Sequence, residues 1–236
     1  YAFYGCSALE AVSLPDTLAV IGPCAFAQCT ALTTVSLPAA LERIEREAFD
    51  GCTALASLDL PAGLKYLGFF ILRDTAVKSL TIPASLEEIG TASFAAGIGT
   101  YAGPLSGSAV ESVTLQEGIA AIPDYFFSSS NIKTLDLPDS LTAIGEGAFR
   151  DSGIESFTLP ARVERIGTRA FYRCGSLASV TFTYDPGRSP ELLTIGYQAF
   201  ADCSAPPVSP CWRTAFLPAA PHFRRSACRR GSCPSA

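Results

Sequence analysis

One apolar pattern recurs through most of this chain and leaves it little choice of architecture. Ile44-x-x-x-Ala48-Phe49-x-x-Cys52-x-x-Leu55-x-x-Leu58-x-Leu60-Pro61 repeats, with small changes, from the first residues to about Cys203. The aromatic of the pattern falls at Phe3, Phe26, Phe49, Phe94, Phe127, Phe149, Phe171 and Phe200, with Leu72 in the slot that lacks it. Successive steps are then 23, 23, 23, 22, 33, 22, 22 and 29 residues. A unit this short cannot bury its own apolar face, so it must stack on its neighbours and the chain must form a solenoid.

The apolar period changes partway through each unit. Ile44, Ala48, Phe49 and Cys52 lie at i, i+4, i+5 and i+8, the spacing of one face of a short helical segment, whereas Leu58 and Leu60 alternate with Ser57 and Asp59 as in a strand. Pro23 and Pro123 follow the repeat isoleucine, where a first helical turn tolerates proline. The expectation is an α/β repeat solenoid of about eight units of 22–23 residues. Short parallel strands occupy one face and short helical or 3-10 turns the other, with Phe26, Phe49, Phe94, Phe127, Phe149, Phe171 and Phe200 stacked in the core, each ring worth roughly 1.5–3 kcal/mol by burial.

Units such as LTAIGEGAFRDSGIESFTLP (141–160) and VERIGTRAFYRCGSLASVTF (163–182) resemble the BspA-like leucine-rich repeat family. The resemblance covers residues 1 to about 203. It implies a cell-surface or secreted binding and adhesion protein whose partner is a protein, an extracellular matrix protein or a glycan.

Composition and charge remove other classes. No run approaches the roughly 18 apolar residues of a membrane span. The chain lacks methionine and opens at Tyr1 in mid-repeat, which reads as a stretch of a longer protein. Residues up to Cys203 hold all 22 acidic side chains but only 12 of the 17 Lys and Arg. Such an acidic array lacks the clustered cations that nucleic acid requires. The tail, 204–236, holds the other five cations, all Arg, with high proline and no repeat register. It reads as a disordered end, as a cap folding Trp212, Phe216, Leu217 and Phe223 over the last repeat, or as an unnatural junction.

Catalysis and cofactors find no support. The one histidine, His222, lies in the tail, so the repeats hold no Ser-His-Asp or Cys-His arrangement. Cys211, Cys228 and Cys233 with His222 match no zinc spacing. Gly97-x-Gly99-x-x-x-Gly103 lacks the spacing of a dinucleotide loop. Asp59 and Asp136 fall three repeats apart, roughly 14 Å at the spacing of stacked strands, too far for paired-carboxylate glycoside chemistry. Of nine cysteines, Cys6, Cys29, Cys52, Cys174 and Cys203 each follow the motif aromatic by three residues. Gly97, Ser130, Ser152 and Thr75 fill that position elsewhere, as befits a small buried slot. Cys24 falls where it could approach Cys6 or Cys29, and the disulfide state of these three stays open.

What remains is surface. With leucines inward, the outward strand rows run through Ser57, Ser79, Ser112, Thr134, Ser156 and Ser179 and, two along, Asp59, Thr81, Thr114, Asp136, Thr158 and Thr181. Exposed hydroxyls suit a parallel ladder by themselves and also offer a contact face, with Asp59, Asp136, Thr134, Ser156 and Thr158 as candidates. Breaks in the period mark insertions at about 95–109 and 183–191, which place Tyr101, Tyr184 and Arg188 on loops as further candidates. The expected function is a non-catalytic binding or adhesion module without cofactor. The alternative is an intracellular, cytoplasmic scaffold attached to an enzyme or signalling domain elsewhere.

Overall fold

The computed structural model describes residues 1–91, 101–183 and 194–203. Two parallel ladders run along the stack. The front ladder consists of β1 (Ala11–Ser13), β3 (Thr34–Ser36), β6 (Ser79–Ile82), β8 (Ser112–Leu115), β10 (Thr134–Asp136), β12 (Ser156–Leu159) and β14 (Ser179–Phe182). The second consists of the two-residue strands β2 (Val20–Ile21), β4 (Arg43–Ile44), β5 (Tyr66–Leu67), β7 (Glu88–Ile89), β9 (Ala121–Ile122), β11 (Ala143–Ile144), β13 (Arg165–Ile166) and β15 (Thr194–Ile195). Like residues pair with like: Ser79 with Ser112, Leu80 with Val113, Thr81 with Thr114. Period-2 alternation turns the aliphatic residue into the core and the hydroxyl out.

Proline supplies the corner between the ladders. It has no N–H to give to a strand, but its carbonyl can still accept, and Leu18, Leu41, Leu64, Leu86 and Leu141 donate to Pro15, Pro38, Pro61, Pro83 and Pro138 at 3.0–3.2 Å. These leucines or their equivalents then turn inward, and Leu41, Leu64 and Leu141 are fully buried.

The face opposite the front ladder contains no helix among the described residues, contrary to the α/β expectation. The backbone gives the reason. In the turn around Phe26, the N–H groups of Ala25, Ala27 and Cys29 bond back three residues to Gly22, Cys24 and Phe26, but those of Cys24, Phe26 and Gln28 bond to Arg46, Ala48 and Asp50 of the next turn. Half the donors thus serve the stack, whereas an α-helix would take every one for its own i−4 carbonyl. That alternation requires left-handed residues two before and two after the central aromatic. They are Cys24 and Gln28 around Phe26, Tyr125 and Ser129 around Phe127, and Arg169 and Arg173 around Phe171, with φ between 52° and 63°. Each non-glycine left-handed residue costs roughly 1–2 kcal/mol, which the cross-turn hydrogen bonds offset. Gly51 and Gly107 take the same conformation without a Cβ penalty.

The rings stack inside these turns. Centroids lie 5.2 Å apart for Phe3–Phe26, 5.5 Å for Phe26–Phe49, 5.0 Å for Phe127–Phe149, 4.8 Å for Phe149–Phe171 and 4.9 Å for Phe171–Phe200. Between the two runs the slot holds Leu72 and then Leu105, both fully buried. Phe94, expected in this position, lies outside the described residues. The slot falls on Leu105 because Ser108 Oγ donates to the Leu105 carbonyl at 2.8 Å, as Thr75 Oγ1 does to Leu72 and Ser130 Oγ to Phe127. The extra length of this unit therefore enters ahead of its central residue. Residues 101–109, expected within an outlying loop, carry the buried Ala102, Leu105, Ser106 and Ser108 of a stacked turn.

Cysteines in the small slot bond differently from the hydroxyls. Cys29, Cys52 and Cys174 Sγ donate to the carbonyls of Phe3, Phe26 and Phe149, one turn back, at 2.9–3.1 Å. Cys6, Cys24 and Cys29 are free thiols, and Cys24 Sγ donates to Glu47 Oε2 at 3.2 Å. Burial pushes the Cys52 thiol up to about 12. Among the described residues no buried side-chain nitrogen or oxygen lacks a partner.

Candidate binding surface

The strand rows lie where alternation puts them. Ser79, Thr81, Ser112, Thr114, Thr134, Asp136, Ser156 and Thr158 are all exposed on the front face, and Asp59 sits in the equivalent position on the preceding turn. Thr81, Thr114 and Asp136 are consecutive in register, so Asp59 and Asp136 are separated by the whole of two intervening strands. These rows carry no aromatic or guanidinium group. Among the described residues no group of His, Cys, Asp and Glu could hold a metal ion.

Tyr101 leads to a different surface, on the turn side. It was expected on a loop, but its carbonyl accepts from Ser128 Oγ at 2.8 Å, which pins it against the turn around Phe127. Its ring stacks on Tyr125, with centroids 4.2 Å apart and planes 6° from parallel. The Arg150 guanidinium lies 5.4 Å from the Tyr101 ring and 5.4 Å from the Tyr172 ring, and Arg169 lies 5.8 Å from Tyr172. Pairwise contacts thus link Tyr125, Tyr101, Arg150, Tyr172 and Arg169 into one chain of rings and cations across successive turns. Tyr197, 70% exposed, lies on the next turn, where its carbonyl accepts from the Arg169 N–H at 2.9 Å.

The ridge is held from beneath and from its sides. Tyr125 occupies one of the left-handed positions, and its ring lies over Gly147, where a Cβ would collide with the ring. Its hydroxyl donates to Glu146 Oε1 at 2.8 Å, and burial together with that bond raises its pKa. Arg150 Nε donates to Asp151 at 3.2 Å, and the other Asp151 oxygen takes Arg173 at 3.1 Å. Arg169 Nε donates to the amide oxygen of Gln198 at 3.0 Å. Asp151 thus bridges the guanidiniums of Arg150 and Arg173, and Arg169 bonds a neutral amide.

Nearer the start of the chain the same face also pairs arginines with carboxylates. There Arg73 reaches Asp50 through two bonds of 2.7 Å, with Glu47 at 3.7 Å, and Arg46 faces Glu47 at 3.0 Å. The Asp50 hydrogen bonds raise the Arg73 pKa further.

Of the other expected contact residues, Tyr184 and Arg188 lie outside the described residues, as do the tail and its cysteines. Sequence reading missed Tyr125, Arg150, Arg169, Tyr172 and Tyr197. The available signal was their offset from the motif aromatic, two before for Tyr125 and Arg169, one after for Arg150 and Tyr172, and three before for Tyr197.

The chain matches the BspA type leucine rich repeat region in six copies, over residues 1–100 and 98–207. No curated protein matches it significantly. Among solved structures it is similar to a leucine-rich repeat protein from Bacteroides ovatus, at 28% identity and a TM-score of 0.50, covering 82% of this chain and 58% of that one. It is also similar to the T. pallidum leucine rich repeat protein, at 31% identity and a TM-score of 0.51, covering 64% of this chain and 66% of that one. The chain thus spans 58% and 66% of the lengths of these two proteins. With the repeat matched from the first residue through the last described turn, the chain belongs to the BspA type leucine rich repeat family.

Proposed function

We propose that this chain is a non-catalytic binding and adhesion module of a cell-surface or secreted protein, and that it contacts a protein partner through the tyrosine–arginine ridge of its turn face. The observation that carries this reading is the ridge itself. Tyr and Arg dominate interface hot spots, whereas the Ser and Thr of the front rows are under-represented there. A ladder of repeats holds the ridge side chains on fixed backbone, so little ordering entropy is lost on contact. The surface location rests on the resemblance of the repeats to those of surface proteins.

An adhesion assay tests this. Beads coated with the full chain are applied to fibronectin, fibrinogen or laminin layers, and retained beads are counted. Retention that falls roughly tenfold in Tyr101→Ala/Tyr197→Ala is the expected result, as for loss of a moderate hot spot. Retention unchanged by that double substitution removes the ridge as the contact surface.

A further inference from the structure

We infer that Cys174 and Cys203 form a redox modification site, at which a small-molecule disulfide oxidises the pair to an intrachain disulfide that staples the last described turn to the turn before it. The inference goes beyond the proposed function and does not depend on the tyrosine–arginine ridge.

Register brings the two residues together. The Phe171 and Arg173 N–H groups donate to the carbonyls of Ala199 and Ala201 at 2.7 and 2.9 Å, and the Phe171 and Phe200 rings stack at 4.9 Å with planes 1° apart. Cys174 and Cys203 each follow the ring of their own turn by three residues, so they occupy the same small slot on adjacent turns. The Phe171 carbonyl accepts from the Cys174 N–H at 3.4 Å and from Cys203 Sγ at 3.1 Å, which sets the Cys203 sulfur against Cys174. One turn earlier, the same arrangement leaves Ser152 Oγ and Cys174 Sγ 3.5 Å apart, so side-chain atoms in successive slots are in direct contact. Stacked residues lie about 4.8 Å apart at Cα, within the roughly 4.4–6.8 Å that a disulfide spans. Both side chains are free thiols in this structure.

Their surroundings give the two thiols different tasks. Cys174 is fully buried and Cys203 only partly so, and an external disulfide therefore meets Cys203 first. When Cys203 ionises, the neighbouring Cys174 thiol donates to it, which holds the Cys203 thiol below its ordinary value. The same hydrogen bond, together with burial, holds Cys174 above its own. The reactive thiolate is therefore that of Cys203. It attacks one sulfur of the external disulfide and expels a thiolate, leaving a mixed disulfide. Cys174 then loses its proton to solvent, attacks Cys203 Sγ and releases the second thiol. The pair gives up two electrons and two protons, and the external disulfide becomes two thiols. Cys174 has no competing thiol in its slot row, because its other neighbour is Ser152, whereas Cys29 lies between Cys6 and Cys52. The bond spans a 29-residue step, so it restricts the unfolded chain and holds the turn in the stack. An oxidising exterior, where surface proteins function, favours the bridged form.

The test incubates the full chain in mixtures of oxidised and reduced glutathione, blocks the remaining thiols with N-ethylmaleimide and maps the peptides by mass spectrometry. Expected is a Cys174–Cys203 linked peptide that accumulates as oxidised glutathione rises. Amide exchange over residues 194–203 should slow by roughly tenfold or more in the bridged chain. Cys174→Ser should instead trap glutathione on Cys203, and Cys203→Ser should leave Cys174 free, with the slowing of exchange lost in both. Serine fills this slot at Ser130 and Ser152, so both variants keep the fold, as circular dichroism checks. Glutathione retained on Cys203 of the unmodified chain with Cys174 free overturns the inference. So do a bridge from Cys203 to Cys211, Cys228 or Cys233, both thiols left reduced in fully oxidised glutathione, and exchange over 194–203 unchanged by the bridge.

Discussion

At Phe149 the ring of one turn meets those of the turns before and after at 5.0 and 4.8 Å, with Phe157 of its own turn also in contact, so truncation leaves a hole that rigid stacked neighbours cannot fill. Phe149→Ala should cost about 3–5 kcal/mol, read as a large drop in melting temperature. A melting curve that does not move would contradict the stacking. The thiol slot makes a second prediction. Cys6 is exposed, while Cys52 is buried with its thiol held near 12. Only thiolates alkylate readily, so iodoacetamide followed by peptide mapping should label Cys6 in the folded chain and Cys52 only after unfolding. Equal labelling rates would show that the slot is open. Residue positions were legible wherever both halves of the motif agree. They disagree between residues 89 and 112. Ile89-Gly90-x-x-x-Phe94 satisfies the first half of the motif, but Leu105-x-x-Ser108 satisfies the second, with Ser112 seven residues on. Thr134 follows Phe127 by the same interval, and Ser156 follows Phe149. The strand pairing of β8 with β6 and β10 decides in favour of Leu105, because a register error there would turn the hydroxyls inward.

At the scale of elements, the turn that reads as a helix is the instructive case. Its i, i+4, i+5, i+8 apolar spacing comes from a doubled turn rather than from a helix. The contrary sign is at the residue two after the aromatic, where Gly5, Gly51, Gly107, Asp74, Asp151 and Asp202 recur. Gly and Asp are the residues that tolerate left-handed backbone, and one such position per repeat stops a helix before it completes two turns. Close approach of successive turns sets another requirement. A Cβ on Gly167 would lie 2.5 Å from the carbonyl carbon of Gly145. Gly167→Ala should therefore destabilise by about 1–3 kcal/mol as the turns are pushed apart, measured by chemical denaturation. A neutral effect would mean that the turns are not in backbone contact. The edge of the front ladder adds a pH dependence. Glu111 lies between Lys133 at 2.8 Å and Lys78 at 3.1 Å, which hold its carboxyl below the ordinary value. Its contribution is present above the unfolded-state pKa and is lost as pH falls through the lowered folded one. The difference in melting temperature between the chain and Glu111→Gln should be small near neutrality and vanish in acid. A difference that grows with acidification would reverse the sign of the interaction.

For the molecule as a whole, the front ladder and the turns present outward faces of different chemistry. The front face was legible because strand alternation is a simple rule. The turn face was not, because its outward positions depend on left-handed residues that hydrophobic periodicity does not reveal. Binding energy in protein interfaces concentrates in a few rigid aromatic and guanidinium groups, and on this molecule those groups converge on the turn face. The most direct measurement is surface plasmon resonance on one immobilised matrix protein, comparing two blocking variants with the unmodified chain. Ser112→Arg/Thr134→Arg places bulk and charge on the front face, while Tyr101→Ala/Tyr197→Ala strips the ridge. The account predicts that affinity survives the first and falls roughly tenfold in the second. Loss in the first with affinity intact in the second would assign binding to the strand face and contradict it.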